Sequence, residues 1–153
     1  MTITLNDIKT EQSRLAEMIA AFEAQGAMST ITIPEMQIEL KEGEHYAGIV
    51  LGKIGESNFH LILLPGEAES VNWADAQAWA EKAGGWLPTR SEQALLFANL
   101  REQFKSAWYW SGEEYVSAPE YAWVQSFSYG VQSYGHKDGS ELRARAVRRL
   151  IIQ

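Results

Sequence analysis

Three histidines, a scatter of carboxylates and a set of late aromatics are the residues of this 153-residue chain that could do chemistry. His45, His60 and His136 have no neighbouring Asp or Ser in a recognisable nucleophile motif, and no glycine-rich phosphate loop occurs. His60, inside an apolar run, reads as a half-buried packing residue. The chain contains no cysteine, which excludes disulfides, thiolate metal sites and cysteine nucleophiles. Glu113, Glu114, Glu120 and Asp138 would have to converge to hold a hard cation, and solvated loop charges are the simpler reading. The expectation is therefore a protein that is not an enzyme and uses no cofactor and no metal.

Binding is the better supported chemistry. After Gly112 the chain runs EEYVSAPEYAWVQSFSYGVQSYGHKDGSE, rich in Tyr, Ser, Gly and Gln and poor in aliphatics. Such mixtures suit recognition, because Tyr offers rigid contact area at low entropic cost. Tyr115, Tyr121, Trp123, Tyr129 and Tyr134 are the candidate ligand-binding residues. Successive strand residues point to opposite faces, so only a subset of the five can be exposed together.

The elements that must position them centre on Asn72 to Gly112, which holds five of the six tryptophans. Asn72 caps a helix in which Trp73, Ala76, Trp79, Ala80 and Ala83 recur at helical spacing, with Asp75 in its first turn. Gly84 and Gly85 end that helix and Pro88 forbids its continuation. Thr89-Arg-Ser-Glu92 spells a capping box for a second helix, whose Leu96, Leu100 and Phe104 face a core. Trp108, Tyr109 and Trp110 then begin a strand.

Elsewhere, Asn6 is the expected cap of an N-terminal helix carrying Leu5, Ile8, Gln12, Leu15, Ile19 and Phe22 at heptad-like spacing. Such a helix is marginal alone and must lie against its own domain or against copies of itself. The Gly26-Ala-Met-Ser-Thr joint favours the second arrangement. Ile31 with Ile33, and Met36, Ile38 and Leu40, alternate as half-buried strands broken at Pro34. His45 to Leu51 and Asn58 to Leu64 should pair as a hairpin, with Glu67 to Val71 leading into the first central helix. Tyr121 to Phe127 reads as a strand, Gly130 and Gly135 as turns, and Leu142 to Ile151 as one last strand. The division expected is residues 1–28 for the helix and 29–153 for an α+β domain.

Trp73-x-x-Ala-x-x-Trp-Ala80, Gly84-Gly-Trp-Leu-Pro-Thr89, Tyr109-Trp-Ser111, Ala122-Trp-Val124 and Arg145-Ala-Val-Arg148 occur in this order. Together they resemble a bacterial and phage family of C-type-lectin-like domains, related to the C-terminal domain of bacterial collagen-like adhesins. The resemblance spans about Glu44 to Leu150. It implies a C-type-lectin-like α+β fold, two helices packed on twisted antiparallel strands, with Trp79, Trp86 and Trp110 in the core and ligands taken by the late strands and loops. The lectin spellings Glu-Pro-Asn, Gln-Pro-Asp and Trp-Asn-Asp are absent, so any recognition should be calcium-independent. The implied role is a non-enzymatic recognition module of phage or prophage origin that binds a surface glycan or protein, as a virion accessory or fibre-tip component. An intracellular phage protein that modulates a host protein is the alternative. The fibre-like role favours a homo-oligomer, and a trimer over a dimer.

The net charge of −7 opposes general binding to nucleic acid. The 20 acidic residues all precede Arg143, whereas Arg143, Arg145, Arg148 and Arg149 close the chain. These arginines either present a basic edge to an acidic partner or pair with carboxylates of their own domain, the latter being the simpler reading. No apolar run reaches membrane-spanning length and the start lacks the order of a signal peptide, so the expectation is synthesis in the cytoplasm without membrane insertion.

Overall fold

The computed structural model describes residues 2–26, 32, 35–139 and 141–153. The joint at 27–30, the expected strand residues Ile31 and Ile33, the break at Pro34 and the expected boundary at residue 28 lie outside the described residues. The chain divides into two compact units, Met1–Met36 and Gln37–Gln153.

The first unit holds one helix, α1 (Leu5–Ala24). Thr4, not Asn6, is its cap: the Thr4 hydroxyl accepts from the Asp7 amide at 3.2 Å, and the Asp7 carboxylate accepts from the Thr4 amide at 2.8 Å. The reciprocal pair satisfies two orphan donors, which Asn6 without an acid three residues on cannot match. No residue of α1 is buried, and Leu5, Ile8, Leu15, Ile19 and Phe22 are all exposed.

The second unit is α+β. Its elements are β1 (His45–Val50), β2 (Phe59–Leu63), β3 (Ala68–Val71), α2 (Trp73–Lys82), α3 (Arg90–Leu100), β4 (Trp108–Glu114), β5 (Tyr121–Ser126), β6 (Gln132–His136), β7 (Leu142–Ala144) and β8 (Val147–Ile151), with one 3-10 turn at Arg101–Gln103. One sheet has the order β1-β2-β8 and the other β3-β7-β4-β5-β6. The hairpin of β1 and β2 forms as expected, with Ile49 opposite His60. All pairs are antiparallel except β4 with β7, which is parallel and departs from the expected all-antiparallel pattern.

Three segments depart from the sequence reading. Met36 to Leu40 alternate in character but form no strand, because alternation supplies a face while a strand also needs a neighbour's backbone. Leu142 to Ile151 is two strands, not one: β7 lies between β3 and β4, and β8 pairs with β2 in the other sheet. Gly135 lies within β6, where its missing side chain leaves room for the Trp110 ring, 3.3 Å from where a Cβ would stand.

Both central helices start as their caps dictate. Asn72 accepts from the Asp75 amide at 2.9 Å. Thr89 and Glu92 complete the capping box. Gly84, at φ +88°, turns the chain out of α2, and Gly85 then passes so close to β8 that a Cβ would sit 2.2 Å from the Val147 carbonyl oxygen.

Two apolar clusters fill the unit. Ala76 and Ala80 of α2 pack with Leu64, Leu87, Trp110, Ala122, Val124 and Ala144, while Leu96 and Leu100 of α3 pack with Leu61, Leu63, Tyr109, Phe127 and Val147. Trp110 is fully buried and its indole nitrogen donates to the Val71 carbonyl at 2.9 Å. Trp79 is only half-buried against the first cluster, and Trp86 is 54% exposed, so the expected burial of all three tryptophans is corrected. Three of the late arginines find carboxylates: Arg143 with Glu69, Arg148 with Glu44 and Arg149 with Glu92. The fourth, Arg145, is buried and donates to the carbonyls of Gln103 and Leu64.

Candidate functional site

Alternation along β5 decides which late aromatics can meet. Ala122 and Val124 point into the core, so Tyr121, Trp123 and Gln125 share the opposite face. The register with β6 sets Tyr121 beside His136, Trp123 beside Tyr134 and Gln125 beside Gln132. One end of this face is covered by α3. There the Gln125 amide donates to the Gln93 carbonyl at 3.1 Å, and the Gln132 amide donates to the Gln125 side chain at 2.8 Å and to the Arg90 carbonyl at 2.7 Å.

The helix begins at Arg90, and there its cover over the face gives way to a side chain. The Arg90 Nε–H donates to Gln132 at 3.0 Å, and its guanidinium carbon sits 3.5 Å from the centre of the Trp123 ring. From Trp123 the aromatics continue without interruption. Tyr115 meets Trp123 edge-on at 5.1 Å and stacks on Tyr134 at 4.4 Å with 17° between planes. Tyr121 meets Tyr134 at 5.5 Å and His136 at 5.2 Å, both edge-on. Tyr115 reaches the patch from the β4–β5 loop, which is fixed by its amide donating to the Tyr121 carbonyl at 2.9 Å. Tyr134 is 51% exposed, and Tyr115, Tyr121 and Trp123 are half-buried.

Four of the five candidate aromatics therefore come together. Tyr129 does not: it lies at the far end of β5, 83% exposed, in a turn held by its amide donating to the Ser126 hydroxyl at 3.3 Å. Arg90 and His136 belong to the patch and were missed by reading aromatics alone. The signals were present, since Arg90 follows the cap Thr89 directly and His136 continues the alternation of Gln132 and Tyr134.

Two of the three histidines have a polar neighbour. The buried His60 has Tyr46 as its partner, Nδ1 to hydroxyl at 2.9 Å, and His136 Nδ1 lies 3.9 Å from the exposed Asp138. The four acids considered for a cation do not converge: Glu113 accepts from the Arg90 amide at 2.5 Å, Glu114 pairs with Lys137 at 2.8 Å, Glu120 is exposed, and the carboxylate of Asp138 is 93% exposed. No group of three or more His, Asp or Glu side chains among the described residues is placed to hold a metal ion. Tyr109 is the most perturbed phenol: burial, and then the Glu67 carboxylate it donates to, push its pKa above the usual value.

On another side of the α3 start, a cleft of about 240 Å³ is lined by Gln77, Glu81, Trp86, Leu87, Thr89 and Arg149. Thr89 and Arg149 also line an adjoining lobe of about 400 Å³ that reaches Glu56, Phe59, Ser91 and Glu113. No helix of the described residues is long and apolar enough to cross a membrane. Compared with known proteins, the chain matches no family model and no curated protein.

Proposed function

We propose that the chain is a non-enzymatic recognition module of C-type-lectin-like fold and phage or prophage origin, which binds a surface protein or glycan as a virion accessory or fibre-tip component. The observation that carries the reading is the continuous face of Arg90, Trp123, Tyr115, Tyr134, Tyr121 and His136, built on paired strands and fixed by the glutamine contacts to α3. Rigid aromatics with polar tips on a preformed sheet contribute contact area without an ordering cost on binding. Arg90 covers one face of Trp123, and Tyr115 and Tyr134 cover each other. Each of these rings thus has one face already occupied, which leaves less free ring for stacking a sugar and suits the side chains of a protein partner. The apolar seam of α1 supports self-association, a trimer being the form proposed, and this multiplies weak contacts into avidity.

The test is selection from a random peptide library displayed on particles, carried out in chelator with the full chain as bait. Wild type should enrich a family of sequences that the Tyr115→Ala and Tyr134→Ala variants release. Enrichment that survives both substitutions would remove this face as the binding surface.

A further inference from the structure

We infer that the Trp86 cleft is a second, separate binding site, for a neutral oligosaccharide, with the Trp86 indole as its platform. The backbone explains why this ring stands outward. Trp86 exchanges hydrogen bonds with Val147 in both directions, at 3.0 and 2.9 Å, and Gly85 is pressed against the same strand. The peptide is thus locked to β8 while the indole projects, 54% exposed, into the cleft it lines. A large apolar ring held rigidly in a polar cleft lacks the burial that its fully buried counterpart Trp110 obtains.

The lining selects the class of ligand. Arg149 is the cation nearest the indole, 5.5 Å from the ring centre, but Glu92 holds it through hydrogen bonds of 2.5 and 2.9 Å. The centre of the cleft is therefore neutralised from within and exerts no pull on an anion. The rest of the lining sets three carboxylates, Glu56, Glu81 and Glu113, against one ammonium, Lys53, with Gln77 and Thr89 beside them, so acceptors outnumber donors. Hydroxyl groups satisfy such acceptors, and the C–H face of a pyranose satisfies the electron-rich face of an indole. A ligand carrying both is a neutral sugar. An acidic sugar would meet Glu56, Glu81 and Glu113, which outnumber Lys53, the one cation of the lining besides Arg149. The two lobes meet at Thr89 and Arg149, so consecutive units of one oligosaccharide can occupy them. Arg90 covers the Trp123 face at 3.5 Å, whereas the Arg149 guanidinium stands 5.5 Å from the Trp86 ring.

The experiment titrates the full chain, in chelator, with hexamers of β-1,4-glucose, β-1,4-N-acetylglucosamine and α-1,4-glucose, and with an oligogalacturonate, reading tryptophan fluorescence and saturation-transfer NMR. At least one neutral hexamer should bind saturably. Trp86→Ala should weaken it about tenfold or more, as expected for losing an aromatic platform, and Trp86→Phe should recover part of the loss. Gln77→Ala, at a lining residue of α2, should weaken it without touching the β8 bridge. Tyr129→Ala, outside both the cleft and the aromatic face, should leave sugar binding unchanged. Failure of all three neutral hexamers to bind, equal binding of the galacturonate, or wild-type affinity in folded Trp86→Ala would each overturn the inference.

Discussion

Glu92 and Arg149 clasp each other between the first turn of α3 and the last strand, through hydrogen bonds of 2.5 and 2.9 Å, with Glu92 only 1% exposed. The same carboxylate accepts from the Thr89 amide at 2.8 Å and so closes the capping box. One side chain thereby starts a helix and ties it to the sheet. Glu92→Ala should cost roughly 3 kcal/mol, because it leaves Arg149 without its partner and removes half of the cap. Glu92→Gln, which keeps the cap geometry, should cost less. Urea unfolding of the two variants measures both, and equal midpoints would mean that the retained cap contributes nothing beyond the ion pair.

Acid should weaken the protein through a second such pair. Hydrogen bonds from Arg148, at 2.9 and 2.8 Å, hold the buried Glu44 carboxyl at about 2, below its ordinary 4.5. A depressed carboxyl contributes stability that is complete above its unfolded value and is lost as pH falls through the folded one. The urea midpoint should therefore decline between pH 4.5 and about 2. Arg148→Ala should start lower and decline less over the same window. A parallel decline in the variant would assign the acid sensitivity to other groups, such as Glu69, held at about 2 by Lys105 and then Arg143 but exposed.

The tryptophans of the matched strings should separate into three classes. Trp110→Ala, at a position with no exposure and a buried indole hydrogen bond, should cost roughly 3–5 kcal/mol. Trp79→Ala should cost about half as much, in keeping with its half-burial. Trp86→Ala should stay within about 1 kcal/mol of wild type. Thermal melts in a fixed buffer rank them, and a Trp86 variant as damaged as the Trp110 variant would contradict the exposure found here.

Deleting residues 1–36 should leave Gln37–Gln153 folded and monomeric, since both sheets and both central helices lie within it. The full chain should sediment as a trimer at concentrations on the order of tens of micromolar. A monomeric full chain would refute self-association through the seam of α1.

What the sequence made legible was local. Asn72 and Thr89 start their helices because a cap acts within four residues, and the β1–β2 hairpin follows from two alternating runs with a short link. The exposure of Trp86 was not legible, because it depends on a hydrogen-bonded bridge to Val147, sixty-one positions further on. The cap of α1 falls at Thr4, two residues before the expected Asn6, because Asp7 reciprocates from three residues on. Of the candidate site, the strand period brought Tyr121, Trp123 and Tyr134 to one face, whereas the loop that delivers Tyr115 and the guanidinium that covers Trp123 required the fold.

The change of sheet at Arg145 and Ala146 makes ten consecutive residues the dovetail of the second unit. Withdrawing β7 would part β3 from β4, and withdrawing β8 would strip β2 of one neighbour, so neither sheet can be complete while this segment is loose. The contacts it closes span most of the unit in sequence, which places its docking late among folding events. Amide protons of β2 and β4, although they sit in different sheets, should then exchange with solvent through one shared opening.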